Sequence, residues 1–143
     1  MGATEGEKLP TGIAGFDYVA EGGLPRGRAT LVAGSSGAGK SIFGAQFLAG
    51  GIRRELGPGV YVTLEEPADA MRTNWGALGL DVSAWEASGW WDFVDASPRC
   101  QGQEQVAGSY DLGALVPRIR HVLERTGAER LVVDSLDALF HRF

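Results

Sequence analysis

The sequence predicts a single α/β domain in which a parallel central sheet is flanked by helices. Runs of consecutive apolar residues, typical of strands buried on both faces, alternate with segments whose apolar residues recur at helical spacing. Turns rich in glycine separate these segments, and glycine accounts for 22 of the 143 residues. The length matches one domain, since domains commonly span about 100–200 residues.

The amino-terminal part of the chain contains one predicted strand and one predicted helix. Residues 1–8 are polar and predict a flexible tail, and residues 9–28 are dense in Gly and Pro, which favour turns. Residues 29–33 (ATLVA) form a mostly apolar run that predicts a strand buried on both faces. Over residues 40–56 apolar side chains recur every three or four positions, which predicts a helix that stops at Gly57.

The middle of the chain predicts two further strands with two helices between them. Residues 60–64 (VYVTL) are rich in β-branched and aromatic residues, as strands are. Pro67 is suited to the first turn of a helix, which we expect to run to Leu78. Asp81 is expected to cap a shorter helix that ends at Gly89, and residues 91–94 predict the third strand.

The carboxy-terminal part adds a polar loop, a helix and a fourth strand. The loop covers residues 97–109, and an amphipathic helix follows Asp111 and ends at Gly127. Pro117 lies inside this pattern, so the helix either kinks there or begins there. Residues 130–135 (RLVVDS) predict a strand that ends on a carboxylate.

A glycine-rich segment between the first predicted strand and the first long helix matches a phosphate-binding motif. Residues 34–41 (GSSGAGKS) fit G-x-x-x-x-G-K-[ST], the Walker A pattern or P-loop. Its glycines let successive backbone N–H groups surround an anion, the following helix presents its positive end, and Lys40 reaches the β- and γ-phosphates. The hydroxyl of Ser41 can ligate Mg²⁺. The predicted nucleotide-binding residues are Gly34, Ser35, Ser36, Gly37, Ala38, Gly39, Lys40, Ser41 and Ile42.

Carboxylates at two predicted strand ends supply the remaining chemistry. Asp134 has the form of a Walker B aspartate, which holds the metal, although it could instead cap the following helix. Glu65 and Glu66 follow the second predicted strand and are candidates to orient or deprotonate the attacking water. Adjacent strand residues face opposite sides, so at most one of the two points at that water, and the sequence does not say which. Alternatively, the two glutamates are surface charges at the start of the next helix, where acidic residues are favoured.

Composition and charge argue against several other classes of protein. The net charge is −5 and the pI is near 5.0, whereas nucleic-acid binders normally carry a basic face. No run approaches the roughly 18 apolar residues of a membrane span. We therefore expect a cytoplasmic protein without membrane contact.

The remaining reactive residue types give no second site. Cys100 is the only cysteine, so no intrachain disulfide and no cysteine-based metal cage can form. His121 and His141 have no partner at metal-ligand spacing. The four tryptophans are expected to pack at the edge of the sheet.

The order of these motifs resembles the KaiC-like branch of the RecA/RadA ATPases. The resemblance covers nearly the whole chain from Lys8 and is more specific than the Walker A motif alone. It rests on the segments KLPTGI (8–13), GFD (15–17), GGLPRG (22–27), GSSGAGKS (34–41), VTLEEP (62–67), VDASP (94–98), GSYDL (108–112) and LVVDS (131–135).

The resemblance implies a RecA-like P-loop core that binds ATP and Mg²⁺ between neighbouring subunits of a homo-oligomer, often a hexameric ring. In that family the positions of Glu65 and Glu66 carry paired catalytic glutamates, and the position of Asp134 carries the Walker B acid. Lys40 and the two glutamates are therefore the expected catalytic residues, with Ser41 and Asp134 on the metal.

The chain departs from the family pattern at its carboxyl end. In the family, a further strand follows Walker B in the chain. It lies in the sheet between the strand that precedes Walker A and the strand that ends in Walker B, whereas this sequence ends nine residues after Asp134. We expect residues 9–143 to form a partial domain, incomplete at the C-terminus, with unpaired backbone groups beside the vacant position. We also expect slower ATP hydrolysis than in a chain extended through the missing strands.

Other functions of the same site stay open at this point. The site could serve a serine/threonine autokinase, with Glu65 or Glu66 activating a hydroxyl, or a module that binds ATP to assemble without hydrolysing it. A DNA recombinase of the RadA type is disfavoured by the acidic charge. A small GTPase is least favoured because the chain lacks an Asn-Lys-x-Asp segment.

Overall fold

The computed structural model describes residues 6–98 and 112–140, which form two layers of helices around a small parallel sheet. The elements of these residues, in chain order, are β1 (Lys8–Leu9), α1 (Phe16–Val19), β2 (Leu24–Pro25), α2 (Lys40–Arg53), β3 (Gly59–Thr63), α3 (Ala68–Gly76), α4 (Val82–Ala87), β4 (Trp91–Asp95), α5 (Leu112–Thr126), β5 (Arg130–Asp134) and α6 (Asp137–Phe140). The predicted α/β class is confirmed.

The main sheet has β3 at its centre, with β4 on one side and β5 on the other, all parallel. Tyr61 lies opposite Val132, and Thr63 lies opposite Asp134. Because parallel strands end at the same edge, this register brings the segments that follow β3 and β5 together. A separate antiparallel pair joins β1 to β2 near the chain start.

The predicted strand over residues 29–33 is wrong. These five residues form no strand, and all are exposed, Leu31 to 77% of its surface. A strand is stabilised by backbone hydrogen bonds to a neighbour, and no described strand pairs with this segment. The edge of β5 that faces away from β3 is likewise unpaired within the described part of the chain.

Two other predicted elements end earlier than expected. Helix α2 stops at Arg53, three residues before Leu56, because Glu55 adopts a left-handed conformation with φ of 55°. Such a conformation cannot continue a right-handed helix. Strand β5 ends at Asp134, so Ser135 lies outside the sheet.

The remaining helices agree with the sequence more closely. Helix α3 begins after Pro67 and ends at Gly76, two residues before Leu78. Asp81 caps α4 as predicted, accepting a hydrogen bond from the amide of Ala84 at 3.3 Å. Helix α5 begins five residues before Pro117, which therefore lies inside the helix and does not start it.

Apolar clusters cover both faces of the sheet. One cluster packs α2, α3 and α4 against the sheet, and the other packs α5 against the opposite face. The side chains of β3 alternate between them, so Tyr61 enters the first cluster, whereas Val60 and Val62 enter the second. The four tryptophans, expected to pack at the edge of the sheet, lie in or against the first cluster: Trp75 and Trp91 are buried, and Trp85 and Trp90 partly buried.

Two charged residues hold the turn-rich segment near the chain start. The carboxylate of Asp17 accepts hydrogen bonds from the amide and hydroxyl of Thr11 and from the amide of Gly12, at 2.7–3.0 Å. Burial alone would raise the pKa of Asp17, but these donors outweigh it and lower the pKa. The buried Arg130 donates to the carbonyl oxygens of Phe47 at 2.8 Å and Pro10 at 2.7 Å. The segment is thereby held against α2 and β5.

Candidate nucleotide-binding site

The glycine-rich loop leads into α2 as the motif requires. Residues 34–39 are exposed, and the helix begins at Lys40. Gly37 and Gly39 have φ of 81° and 93°, in a backbone region that residues with a Cβ rarely adopt. The first amides of a helix have no partner within the helix, so those at the start of α2 are available to an anion.

Lys40 folds back over this loop. Its ammonium group donates a hydrogen bond to the carbonyl oxygen of Gly34 at 2.6 Å. Gly34 also lies close to Ala38, because a Cβ added to the glycine would stand 3.1 Å from the Cβ of Ala38. The lysine therefore spans the loop from its last residues to its first.

The two residues predicted to hold a metal lie together. The hydroxyl of Ser41 donates to Oδ2 of Asp134 at 2.6 Å, across 93 residues of sequence. Helix α2 supplies the serine from its first turn, and β5 supplies the aspartate from its last residue. Asp134 thus binds the serine instead of capping the next helix.

A glycine in α2 permits this close approach, and sequence reasoning missed it. A Cβ on Gly44 would stand 2.8 Å from Cγ1 of Val132 and 3.5 Å from Cε2 of Tyr61. Ser41 precedes Gly44 by three residues and therefore lies on the same helix face. A larger residue at position 44 would push the start of α2, with Ser41, away from Asp134.

Tyr61 is a second residue that sequence reasoning missed. Its hydroxyl donates to Oδ2 of Asp134 at 2.7 Å and lies 3.4 Å from the carbonyl oxygen of Ser41. The side chain is fully buried. Burial, the negative charge of Asp134 and this hydrogen bond raise the pKa of Tyr61, so the phenol stays protonated and donates.

The two glutamates follow β3 after one intervening residue, Leu64, and both are exposed. The amide of Leu64 donates to the carbonyl oxygen of Asp134 at 2.8 Å, which holds this turn beside the end of β5. The hydroxyl of Thr63 donates to the carbonyl oxygen of Glu66 at 2.5 Å. Within the described part of the chain, the carboxylates of Glu65 and Glu66 form no hydrogen bond or ion pair with another side chain.

Asp95 fixes the other end of the same turn and was also missed. Its Oδ2 accepts from the amide of Ala68 at 2.9 Å, at the start of α3, and its Oδ1 accepts from the amide and hydroxyl of Ser97. Burial alone would raise the pKa of Asp95, but the hydrogen bonds from Ala68 and Ser97 outweigh burial, and the net pKa is lowered. The signal was present in the VDASP segment, but its contact with α3 depends on the fold.

The residues set aside by sequence reasoning do not join this site. His121 is exposed on α5. Cys100 and His141 lie outside the described residues. Among residues 6–98 and 112–140, no helix combines the length and apolarity needed to cross a bilayer.

Comparison with known proteins agrees with the motif order. The family described as "ATPase: KaiC" matches residues 9–142. The chain belongs to the KaiC ATPase family. It is 52% identical over 134 residues, or 94% of its length, to the circadian clock protein KaiC3 of Synechocystis sp.. It is 44% identical over 138 residues to the circadian clock oscillator protein KaiC of Parasynechococcus marenigrum, and 42% over 141 residues to that of Thermosynechococcus vestitus; these alignments cover 96% and 99% of the chain.

The chain spans about a quarter of the length of these KaiC relatives, 26% of KaiC3 and 27% of the two KaiC proteins. Membership of the KaiC family agrees with the resemblance inferred from the motifs. The three-stranded parallel sheet between helices is consistent with a RecA-like KaiC domain.

Proposed function

We propose that this chain binds ATP with Mg²⁺ through residues 34–42 and Asp134, and hydrolyses it. One observation carries the proposal, the 2.6 Å hydrogen bond between the hydroxyl of Ser41 and Oδ2 of Asp134. It joins the Walker A serine to the Walker B aspartate, which are distant in sequence and which this chemistry requires side by side.

Phosphate binding is supported by the start of α2. The unpaired amides at the start of α2 present partial positive charge to one exposed loop, and the ammonium group of Lys40 adds a full positive charge there. The left-handed glycines before the helix let backbone amides turn toward the same point. The contact of Lys40 with the carbonyl oxygen of Gly34 keeps the ammonium group over the loop. In the proposed complex Lys40 exchanges this carbonyl for phosphate oxygens.

The donor set at Ser41 and Asp134 fits Mg²⁺. This ion prefers oxygen ligands and is commonly held by one or two protein oxygens together with phosphates and waters. Ser41 and Asp134 supply a hydroxyl and a carboxylate within hydrogen-bonding distance of each other. When bound, Mg²⁺ would neutralise charge on the β- and γ-phosphates.

Glu65 and Glu66 are proposed to act on the attacking water. The support is their place in the chain: they follow Leu64, whose amide donates to the carbonyl oxygen of Asp134. Their carboxylates form no hydrogen bond or ion pair within the described part of the chain, which leaves them available to orient a water or accept its proton.

We further propose that copies of the chain assemble so that the nucleotide lies between neighbours. The support is the resemblance to the ring-forming family and the exposure of residues 29–39 on one side of the site. A homo-oligomer that forms in the presence of Mg–ATP would support this part of the proposal.

The test is a substitution of Lys40 with a matched control. Lys8 is the only other lysine, and its ammonium group donates to the carbonyl oxygen of Ala20. We expect Lys40→Ala to weaken ATP binding, measured by calorimetry, by about 10- to 100-fold, since hydrogen bonds to charged groups contribute about 1.5–3 kcal/mol. Lys8→Ala should bind as the parent does.

Incubation with γ-labelled ATP identifies the reaction. Release of labelled phosphate supports hydrolysis, whereas label retained on the protein indicates an autokinase. Binding without either product contradicts the proposed hydrolysis and favours an assembly module.

A further inference from the structure

We propose that Tyr61 is a positioning residue for the metal-binding aspartate: its buried hydroxyl orients the carboxylate of Asp134 and so sets the Mg²⁺ requirement of nucleotide binding. The inference rests on the proposed function and deepens it. The observation behind it is the 2.7 Å hydrogen bond from the Tyr61 hydroxyl to Oδ2 of Asp134.

The ring of Tyr61 packs against three other aromatic rings. It contacts Trp75 edge-on with ring centroids 5.0 Å apart, stacks on Trp91 at 6.1 Å and meets Phe93 edge-on at 6.0 Å. The residue has no exposed surface. Its hydroxyl therefore stands at one fixed point, and whatever it binds is held in place with it.

The register of the sheet directs this hydroxyl toward Asp134. Tyr61 lies opposite Val132, and Asp134 is the next residue of β5 on the same face. A buried hydroxyl needs a partner, and the carboxylate provides one with a charge. The 3.4 Å approach to the carbonyl oxygen of Ser41 is the longer of the two contacts.

Both hydroxyl groups bind the same oxygen of Asp134. Ser41 and Tyr61 each donate to Oδ2, at 2.6 and 2.7 Å. No described side chain donates to Oδ1, so this oxygen would be available to Mg²⁺ or to one of its waters when the ion is bound. Without Tyr61, the carboxylate would keep one side-chain donor and could rotate. Outer partners of metal-binding groups commonly contribute 10- to 100-fold to metal affinity.

The experiment compares Tyr61→Phe with Tyr18→Phe in the full chain. Tyr18 loses the same hydroxyl but is 90% exposed. Binding of a fluorescent ATP analogue is measured with increasing Mg²⁺ and again in EDTA, below the melting temperature of each variant. We expect Tyr61→Phe to raise the half-saturating Mg²⁺ concentration about 10-fold. Tyr18→Phe should leave it unchanged, and affinity in EDTA should stay within about two-fold in both variants.

Several outcomes would overturn the inference. One is the same half-saturating Mg²⁺ concentration in Tyr61→Phe and the parent. Another is an equal loss of nucleotide affinity in Tyr61→Phe with Mg²⁺ and in EDTA, which indicates damage to the fold. On an Asp134→Asn background, Tyr61→Phe should produce no further shift; an undiminished shift would also contradict it. If the parent chain binds no nucleotide, the proposed function fails and the inference with it, whereas failure of the Tyr61 effect alone leaves the function standing.

A second measurement needs no change at Tyr61. The chain has three tyrosines, and ring carbons next to their hydroxyls can be labelled and followed by NMR. One resonance should shift when Mg²⁺ is added to the nucleotide complex, and this shift should be missing in Asp134→Asn. No Mg²⁺-dependent tyrosine shift would count against the proposal.

Discussion

Replacement of Gly44 by alanine tests how closely α2 must approach the sheet. The new Cβ would stand 2.8 Å from Cγ1 of Val132, whereas carbon atoms pack at about 3.5–4.0 Å. We expect α2 to move by about 0.7–1.2 Å to relieve this contact. The same displacement would lengthen the 2.6 Å bond between Ser41 and Asp134 past the roughly 3.0 Å limit for two oxygens.

The energetic effect has two opposing parts. Overpacking costs about 1–3 kcal/mol, and alanine gains up to about 1 kcal/mol over glycine in helix propensity. Gly76, in α3, is the matched control, since a Cβ there meets nothing within 4 Å. Gly76→Ala should therefore be neutral or stabilising.

Thermal unfolding and Mg²⁺-dependent nucleotide binding are the assays. The difference of about 1–3 kcal/mol between the variants corresponds to a melting temperature lower by roughly 3–10 °C for Gly44→Ala. Its Mg²⁺ requirement should also rise, while that of Gly76→Ala should not. Equal melting temperatures and equal Mg²⁺ dependence would refute the proposed role of Gly44.

Three further predictions concern the water-activating acids, the buried arginine and the response to acid. One of the two variants Glu65→Gln and Glu66→Gln should lower the rate of ATP hydrolysis about 10²–10⁴-fold while ATP binding persists. If both variants hydrolyse ATP at the parent's rate, neither glutamate activates the water. Arg130→Met should lower the free energy of unfolding, measured by urea titration, by about 2–4 kcal/mol, because two carbonyl oxygens lose their donors. The control Arg28→Met, at an exposed site, should change it by less than about 0.5 kcal/mol. Hydrogen-bond donors lower the pKa of Asp17 in the folded chain, so its ionised carboxylate stabilises the fold. This contribution to the free energy of unfolding is fully present above about pH 4 and is lost as the pH falls through the pKa of Asp17 in the folded chain. Asp17→Asn should flatten the loss of stability below pH 4, and an unchanged acid profile would contradict this role.

The local elements could be predicted because each has its own sequence signal. The start of α2 at Lys40 follows from the Walker A pattern, and the cap of α4 follows from Asp81. The pairing of Ser41 with Asp134 was expected because both motifs have a defined place at the carboxyl edge of a parallel sheet.

The features that were missed depend on which segments become neighbours. Residues 29–33 look like a buried strand by composition, but burial requires a partner strand that the described chain does not supply. Tyr61 reads as one more aromatic strand residue, and its contact with Asp134 spans 73 residues. The close approach at Gly44 depends on how α2 packs against β5. None of these contacts leaves a periodic or local pattern in the sequence.

The central claim is that the start of α2 and the end of β5 together hold Mg–ATP. The most direct measurement is a crystal structure of the chain with Mg²⁺ and a slowly hydrolysed ATP analogue. We predict the phosphates on the amides of residues 37–42, the ammonium group of Lys40 moved from Gly34 to a phosphate oxygen, and Mg²⁺ on the hydroxyl of Ser41. A nucleotide bound elsewhere, or one bound here with Lys40 still on the carbonyl oxygen of Gly34, would contradict the account.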